Sequence, residues 1–137
     1  MKVALDTNVL MSAIGTRGLC ADLFRVILHD HDLVVGEQVL DELRRNLARK
    51  MRMPGVLVAE FEGFIRRQAV AIAHADPLPI EGLSRADARV LAEAIVAGAD
   101  LLVTGDRELL ELQARAPLRI VSPRQFWEHL RRRRVSP

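Results

Sequence analysis

A chain of 137 residues, half of them apolar and with a formal net charge of +2, is long enough to bury one sizeable core but too short for separate catalytic and recognition domains. Its one cysteine, Cys20, excludes an internal disulfide, and no Cys/His set has metal-finger spacing, so a reducing compartment is expected. No apolar run is long enough to span a bilayer and no signal-peptide pattern precedes the first strand, which predicts a cytoplasmic protein with no membrane partner.

In chain order, Val3–Leu5 is a short buried strand that stops at Asp6. Leu19–Leu28 has helical spacing of Leu19, Leu23, Val26 and Ile27. The polar turn His29-Asp30-His31-Asp32, whose histidines read as solvated rather than as ligands, leads into a strand over Leu33–Val35. Two helices follow as an insertion, one over Glu37–Lys50 with Val39, Leu40, Leu43 and Leu47 on a face, the other after Pro54-Gly55 with Val58, Phe61, Ile65 and Ala69. Val70–Ala73 is a short third strand, and the loop around Asp76-Pro77-Leu78-Pro79 is irregular. Ser84–Ala97 is the clearest helix, with Gly98 as its C-terminal stop. Leu101–Val103 is the next strand, Glu108–Ala114 a helix, Arg119–Val121 an edge strand and Pro123–Leu130 a last helix before a basic tail at 131–137. This alternation predicts one α/β domain over residues 1–137, a three-layer α/β/α sandwich around a mainly parallel sheet.

Two apolar strands end at aspartates a hundred residues apart, Asp6 and Asp106. In a parallel α/β sheet the ligand crevice lies at the carboxyl ends of the strands, where two such residues can converge. Asp87 heads the buried stripe of its helix, and Ser84-Arg85-Ala86-Asp87 has the spacing of a capping box; the two roles are compatible, because a first-turn residue sits where a crevice would open. Glu42 flanks the apolar face of its helix, so it either reaches inward or pairs on the surface with Arg45 or Asn46. Asn8 and Thr104 are placed either to fix the Asp6 and Asp106 rotamers or to make ordinary turn hydrogen bonds, and Ser12 either to cap a helix or to contact the site.

The segments Asp6-Thr7-Asn8-Val9-Leu10 with Ser12-Ala13, Val39-Leu40-Asp41-Glu42-Leu43, Asp87 with Val90, Leu91 and Ala94 behind it, and Ala99-Asp100-Leu101-Leu102-Val103-Thr104-Gly105-Asp106 together resemble the PIN-domain ribonucleases. That family includes the VapC-like toxins of toxin–antitoxin pairs. The resemblance implies a metal-dependent endoribonuclease with Asp6, Glu42, Asp87 and Asp106 as its catalytic acids. Asp6 and Asp106 would be direct metal ligands completed by Asp87, with Glu42 acting through water or orienting the nucleophile. It also implies 5′-phosphate and 3′-hydroxyl products and an antitoxin whose peptide would occupy the acidic crevice or the groove beside it. Glu108 either joins the site or opens the next helix.

Four carboxylates in one crevice require protons or hard cations, and an all-oxygen donor set favours Mg²⁺ or Mn²⁺ over Zn²⁺. Two such ions would lie about 3.5–4 Å apart. The arginines gathered over Arg44–Arg52, at Arg66-Arg67 and at Arg131–Arg134, with Arg17, suit an RNA backbone or are solvated helix faces. Phe64 and Trp127 are candidate homodimer contacts, with core packing as their more common fate. A haloacid-dehalogenase-type phosphatase would need an aspartate at Asn8, and a receiver-like domain a strand-end lysine after Asp106. The alternative that survives is a catalytically inactive module of the same fold that binds RNA or a protein.

Overall fold

The computed structural model describes residues 1–112 and 116–135. Among them, five strands form one parallel sheet in the order β3-β2-β1-β4-β5: β1 (Lys2–Leu5), β2 (Asp32–Gly36), β3 (Ala71–Ala73), β4 (Leu101–Val103) and β5 (Arg119–Val121). Val3, Ala4, Leu5, Leu33, Val34, Val35 and all of β4 are buried, as expected of parallel strands covered on both faces. The helices are α1 (Thr7–Gly15), α2 (Leu19–Asp30), α3 (Glu37–Arg49), α4 (Gly55–Gln68), α5 (Arg85–Val96), α6 (Arg107–Glu111) and α7 (Pro123–Val135). They complete the α/β/α sandwich that the alternation predicted.

The strand order places the site. From β1 the chain winds outward through β2 to β3, then returns to add β4 and β5 on the other side of β1. The winding therefore reverses between β1 and β4, which pair with Leu5 opposite Val103. A crevice opens at the carboxyl ends of strands at such a switch point. Asp6 directly follows β1, and its backbone N–H still donates to the Val103 carbonyl at 3.0 Å.

Three elements depart from the sequence reading. Helix α1 starts at once after β1, where the sequence reading places no helix before Ser12. Thr7, Asn8 and Val9 are modest helix formers, but Asp6 caps the first turn and Val9 and Leu10 are buried, so tertiary packing overrides propensity. Ser12 consequently lies inside α1 and is not a helix cap. Helix α7 continues through the arginines, so Arg131–Arg133 belong to its last turns and not to a tail; Ser136 and Pro137 lie outside the described residues. The helix expected over Glu108–Ala114 is α6, Arg107–Glu111, and Gln113 and Ala114 likewise lie outside the described residues. Gly98 stops α5 at φ +82°, the left-handed conformation that favours glycine.

The two helices after β2 are the crossover to β3 and are joined by ion pairs. Arg66 of α4 holds Glu37 of α3 through two 2.9 Å bonds, while Glu62 of α4 accepts from both Arg66 and Arg44 at 2.9 Å. Arg44 also reaches Asp41 at 3.0 Å. Two of the three acids on α3, Glu37 and Asp41, are thereby engaged on the α4 side, leaving Glu42 to face the sheet ends. Phe64 is exposed on α4, whereas Trp127 packs against the core.

Candidate metal centre

Asp6 is the N-cap of α1, and its position follows from that role: Oδ1 accepts the Thr7 backbone N–H at 2.7 Å. Its other oxygen, Oδ2, accepts the Thr104 hydroxyl at 2.7 Å. Thr104 is fully buried just beyond β4 and also accepts the Asp106 backbone N–H at 3.0 Å. One threonine therefore connects the acids that end β1 and β4. Asp106 in turn caps α6, with Oδ1 accepting the Glu108 N–H at 2.9 Å. Burial raises the Asp6 pKa above the usual aspartate value, the Thr104 and Thr7 hydrogen bonds oppose this, and the charges of Glu42 and Asp106 add to the rise.

Glu42 enters from α3. Its Oε2 accepts the Thr7 hydroxyl at 2.8 Å and its Oε1 accepts Gln38 Nε2 at 2.8 Å, so it turns inward and pairs with neither Arg45 nor Asn46. Asp87 enters from α5, where Ser84 caps the helix by accepting the Asp87 N–H at 3.1 Å, as the capping-box spacing predicts. Burial and the charge of Asp106 push the Asp87 carboxyl up to about 6.

Asp87, Asp106 and Glu108 each bring a carboxylate oxygen within 4.8 Å of the others. Among the described residues this is the one such group of acids, histidines and cysteines. All its donors are oxygens, a set that fits a hard dication of the Mg²⁺ or Mn²⁺ kind and not the nitrogen and sulfur preference of zinc. Glu108 lies in the first turn of α6 and also brings a carboxylate oxygen close to Asp87 and Asp106. Asn8 is exposed and makes no hydrogen bond to Asp6 or Asp106, and Ser12 is an exposed residue whose carbonyl accepts from Thr16.

Sequence reasoning missed Thr7, which joins Asp6 to Glu42, and Gln38, which stands one helical turn before Glu42 and holds it. It also missed Glu93, a fully buried carboxylate on α5 that accepts the Gln38 backbone N–H at 2.7 Å, the Ala75 N–H at 3.2 Å and Arg89 Nε at 3.2 Å. Its signal was a lone acid within the apolar run Val90-Leu91-Ala92-Glu93-Ala94-Ile95. Glycine at 36 belongs to the same contact, because a Cβ there would stand 2.5 Å from Glu93 Oε1.

The raised Asp87 pKa has a stability consequence. The folded protein holds this proton more tightly than the unfolded chain, whose value is near 3.8, so the contribution is fully present below that pH and is lost as pH rises through about 6. Solvent screening of a partly exposed group reduces the effect, and loss of a first-turn acid at the helix dipole offsets part of it. Asp87→Asn is therefore expected to stabilise the metal-free protein by about 1 kcal/mol at about pH 8, with no gain at about pH 3.5. Urea unfolding in EDTA at the two pH values measures the difference, and an equal effect at both would remove the electrostatic explanation.

The fold and this crevice define a class: parallel α/β/α proteins whose acidic groups gather over the β1/β4 switch point. The chain belongs to the PIN domain family, whose pattern matches residues 2–108. No curated protein matches its sequence. Among solved structures it is similar to a chain of VapBC2 from Rickettsia felis, bound to a DNA fragment from their promoter, at 17% identity, 89% coverage of this chain and 98% of that one, TM-score 0.65. It is similar also to VapBC-1 from nontypeable Haemophilus influenzae at 15% identity, 90% and 99% coverage, TM-score 0.62. A domain of a functionally unknown protein from Methanocaldococcus jannaschii matches at 18% identity, 87% and 88% coverage, TM-score 0.55.

Proposed function

We propose that this protein is a metal-dependent endoribonuclease, acting as the toxin of a cytoplasmic toxin–antitoxin pair and working as one domain. The observation that carries the chemical reading is the convergence of Asp87, Asp106 and Glu108 oxygens at the switch point, with Asp6 and Glu42 tied to the same crevice through Thr104 and Thr7. The PIN family match supports the hydrolase class, and the likeness to chains of two VapBC assemblies supports an antitoxin partner.

Asp87, Asp106 and Glu108 are the residues to hold Mg²⁺ or Mn²⁺, with Asp6 contributing directly or through its Thr104 link to Asp106. A bound dication would supply a more acidic water and neutralise charge on the scissile phosphate. The chain itself does the positioning. Thr104 fixes the spacing of Asp6 and Asp106, while Thr7 and Gln38 occupy both oxygens of Glu42 and aim it at the crevice, where it can orient a water or accept its proton.

The test is incubation of partner-stripped protein with a mixed RNA substrate in Mg²⁺, Mn²⁺ or EDTA. Cleavage in either metal, absent in EDTA, with 5′-phosphate and 3′-hydroxyl ends is the expected result. No cleavage by partner-free, folded protein under any of these conditions would overturn the reading in favour of a binding module.

A further inference from the structure

We propose that the open groove between α3 and α5 is the track on which the phosphate backbone of RNA lies beside the crevice, with Arg45 and Arg85 as its two gripping residues. This rests on the nuclease reading and adds the surface that reading lacks. A crevice of carboxylates repels a polyanion, so the substrate needs cations next to it to come within reach.

The groove has a volume of about 690 Å³ and is lined by Gln38, Asp41, Arg44, Arg45, Arg85 and Arg89. Four arginines face one aspartate. Two of the four already have partners, since Arg44 binds Glu62 and Asp41, and Arg89 binds Glu93, His74 and the side-chain Oε1 of Gln38. Arg45 and Arg85 are exposed and make no ion pair or side-chain hydrogen bond among the described residues. Two unneutralised guanidinium groups on opposite walls of one groove are suited to successive phosphates, which they can grip through paired N–H groups.

The location joins the groove to the crevice. Each wall also carries a site acid: Glu42 lies three residues before Arg45 on α3, and Asp87 two residues after Arg85 on α5. The Gln38 side chain is common to both spaces, its Nε2 donating to Glu42 at 2.8 Å while its Oε1 accepts from Arg89 at 3.4 Å. No aromatic side chain lines the groove, so its grip is on the backbone and not on stacked bases.

The experiment uses partner-free full-length protein in EDTA and a labelled oligouridylate of about a dozen nucleotides, followed by fluorescence anisotropy over a series of KCl concentrations. Arg45→Ala/Arg85→Ala is expected to bind about tenfold or more weakly, with a salt dependence shallower by about 1.4, or 0.7 for each lost phosphate contact on a single strand. Arg45→Lys/Arg85→Lys should keep most of the salt slope. Wild-type affinity and slope in the double alanine variant, or no measurable binding by the wild type at low salt, would overturn the track. So would arginine-dependent binding of a polyglutamate chain in place of the oligonucleotide, which would assign the groove to an acidic protein segment. Cleavage is scored separately: arginine-dependent binding without cleavage in Mg²⁺ or Mn²⁺ supports the track and sinks the nuclease reading, whereas cleavage with arginine-independent binding sinks the track alone.

Discussion

Asp6→Asn is expected to lower metal-dependent RNA cleavage by about 10²–10³-fold, the order seen when one electrostatic group of a catalytic site is removed, while the protein stays folded. The geometry explains both halves. An asparagine at this position still has one oxygen for the Thr7 N–H, and its amide can donate to Thr104, so the cap of α1 and the link to β4 survive. What disappears is the negative charge over the switch point. That charge is costly in the metal-free protein, because burial and the charges of Glu42 and Asp106 oppose it. The amide instead leaves the Thr104 hydroxyl with a poorer partner, a loss of about 1 kcal/mol. The two effects have opposite signs, so stability without metal should change by no more than about 1 kcal/mol. Cleavage assays, metal titration and thermal unfolding on one preparation separate the outcomes. Cleavage at the wild-type rate would remove Asp6 from the mechanism. A folded variant that keeps metal affinity but loses cleavage would assign Asp6 to the reaction step and leave metal binding to Asp87, Asp106 and Glu108.

Glu93→Ala should be strongly destabilising although it lies outside the crevice, at about 3–5 kcal/mol. Glu93 is wholly buried, and its carboxylate serves the α3 N-terminus, which has Gly36 as its N-cap and no side-chain cap of its own. The Gln38 N–H lies in the first turn of α3, so α5 supplies across the interface the acceptor that a capping side chain normally provides. The Ala75 N–H and Arg89 complete the shell. Truncation leaves these donors without an acceptor and opens a void that Gly36 cannot fill. Glu93→Gln, which keeps one acceptor oxygen but sets an NH₂ among donors, should cost about 1–2 kcal/mol. Urea unfolding of the metal-free protein measures both, and a loss below about 1 kcal/mol for the alanine variant would show that solvent replaces this carboxylate. The same change should disturb Glu42, since Glu93, Arg89, Gln38 and Glu42 form one hydrogen-bonded series.

The amino-acid sequence by itself determined the elements with strong periodicity and clear punctuation. The apolar strands ending at Asp6 and near Asp106, the amphipathic helix carrying Glu42, and the Ser84-to-Gly98 helix with Asp87 in its first turn could be read because each is specified by local spacing, capping and glycine chemistry. Their order already implied a parallel sheet, and with it the strand end at which acids would gather. The tertiary structure alone decided the rest, for a physical reason common to all of it: these features depend on partners distant in sequence. Helix α1 exists because Val9 and Leu10 find a core, against the modest propensity of Thr7 and Asn8. Thr7 gains its place from Glu42, thirty-five residues away, and Thr104 gains its place from Asp6, ninety-eight away. An ion pair to Arg66 of α4 occupies Glu37 and one to Arg44 of α3 occupies Asp41, and so they single out Glu42 on its helix. Glu93 is tolerated in an apolar run because α3 offers it an uncapped N-terminus and residue 36 has no side chain to exclude it.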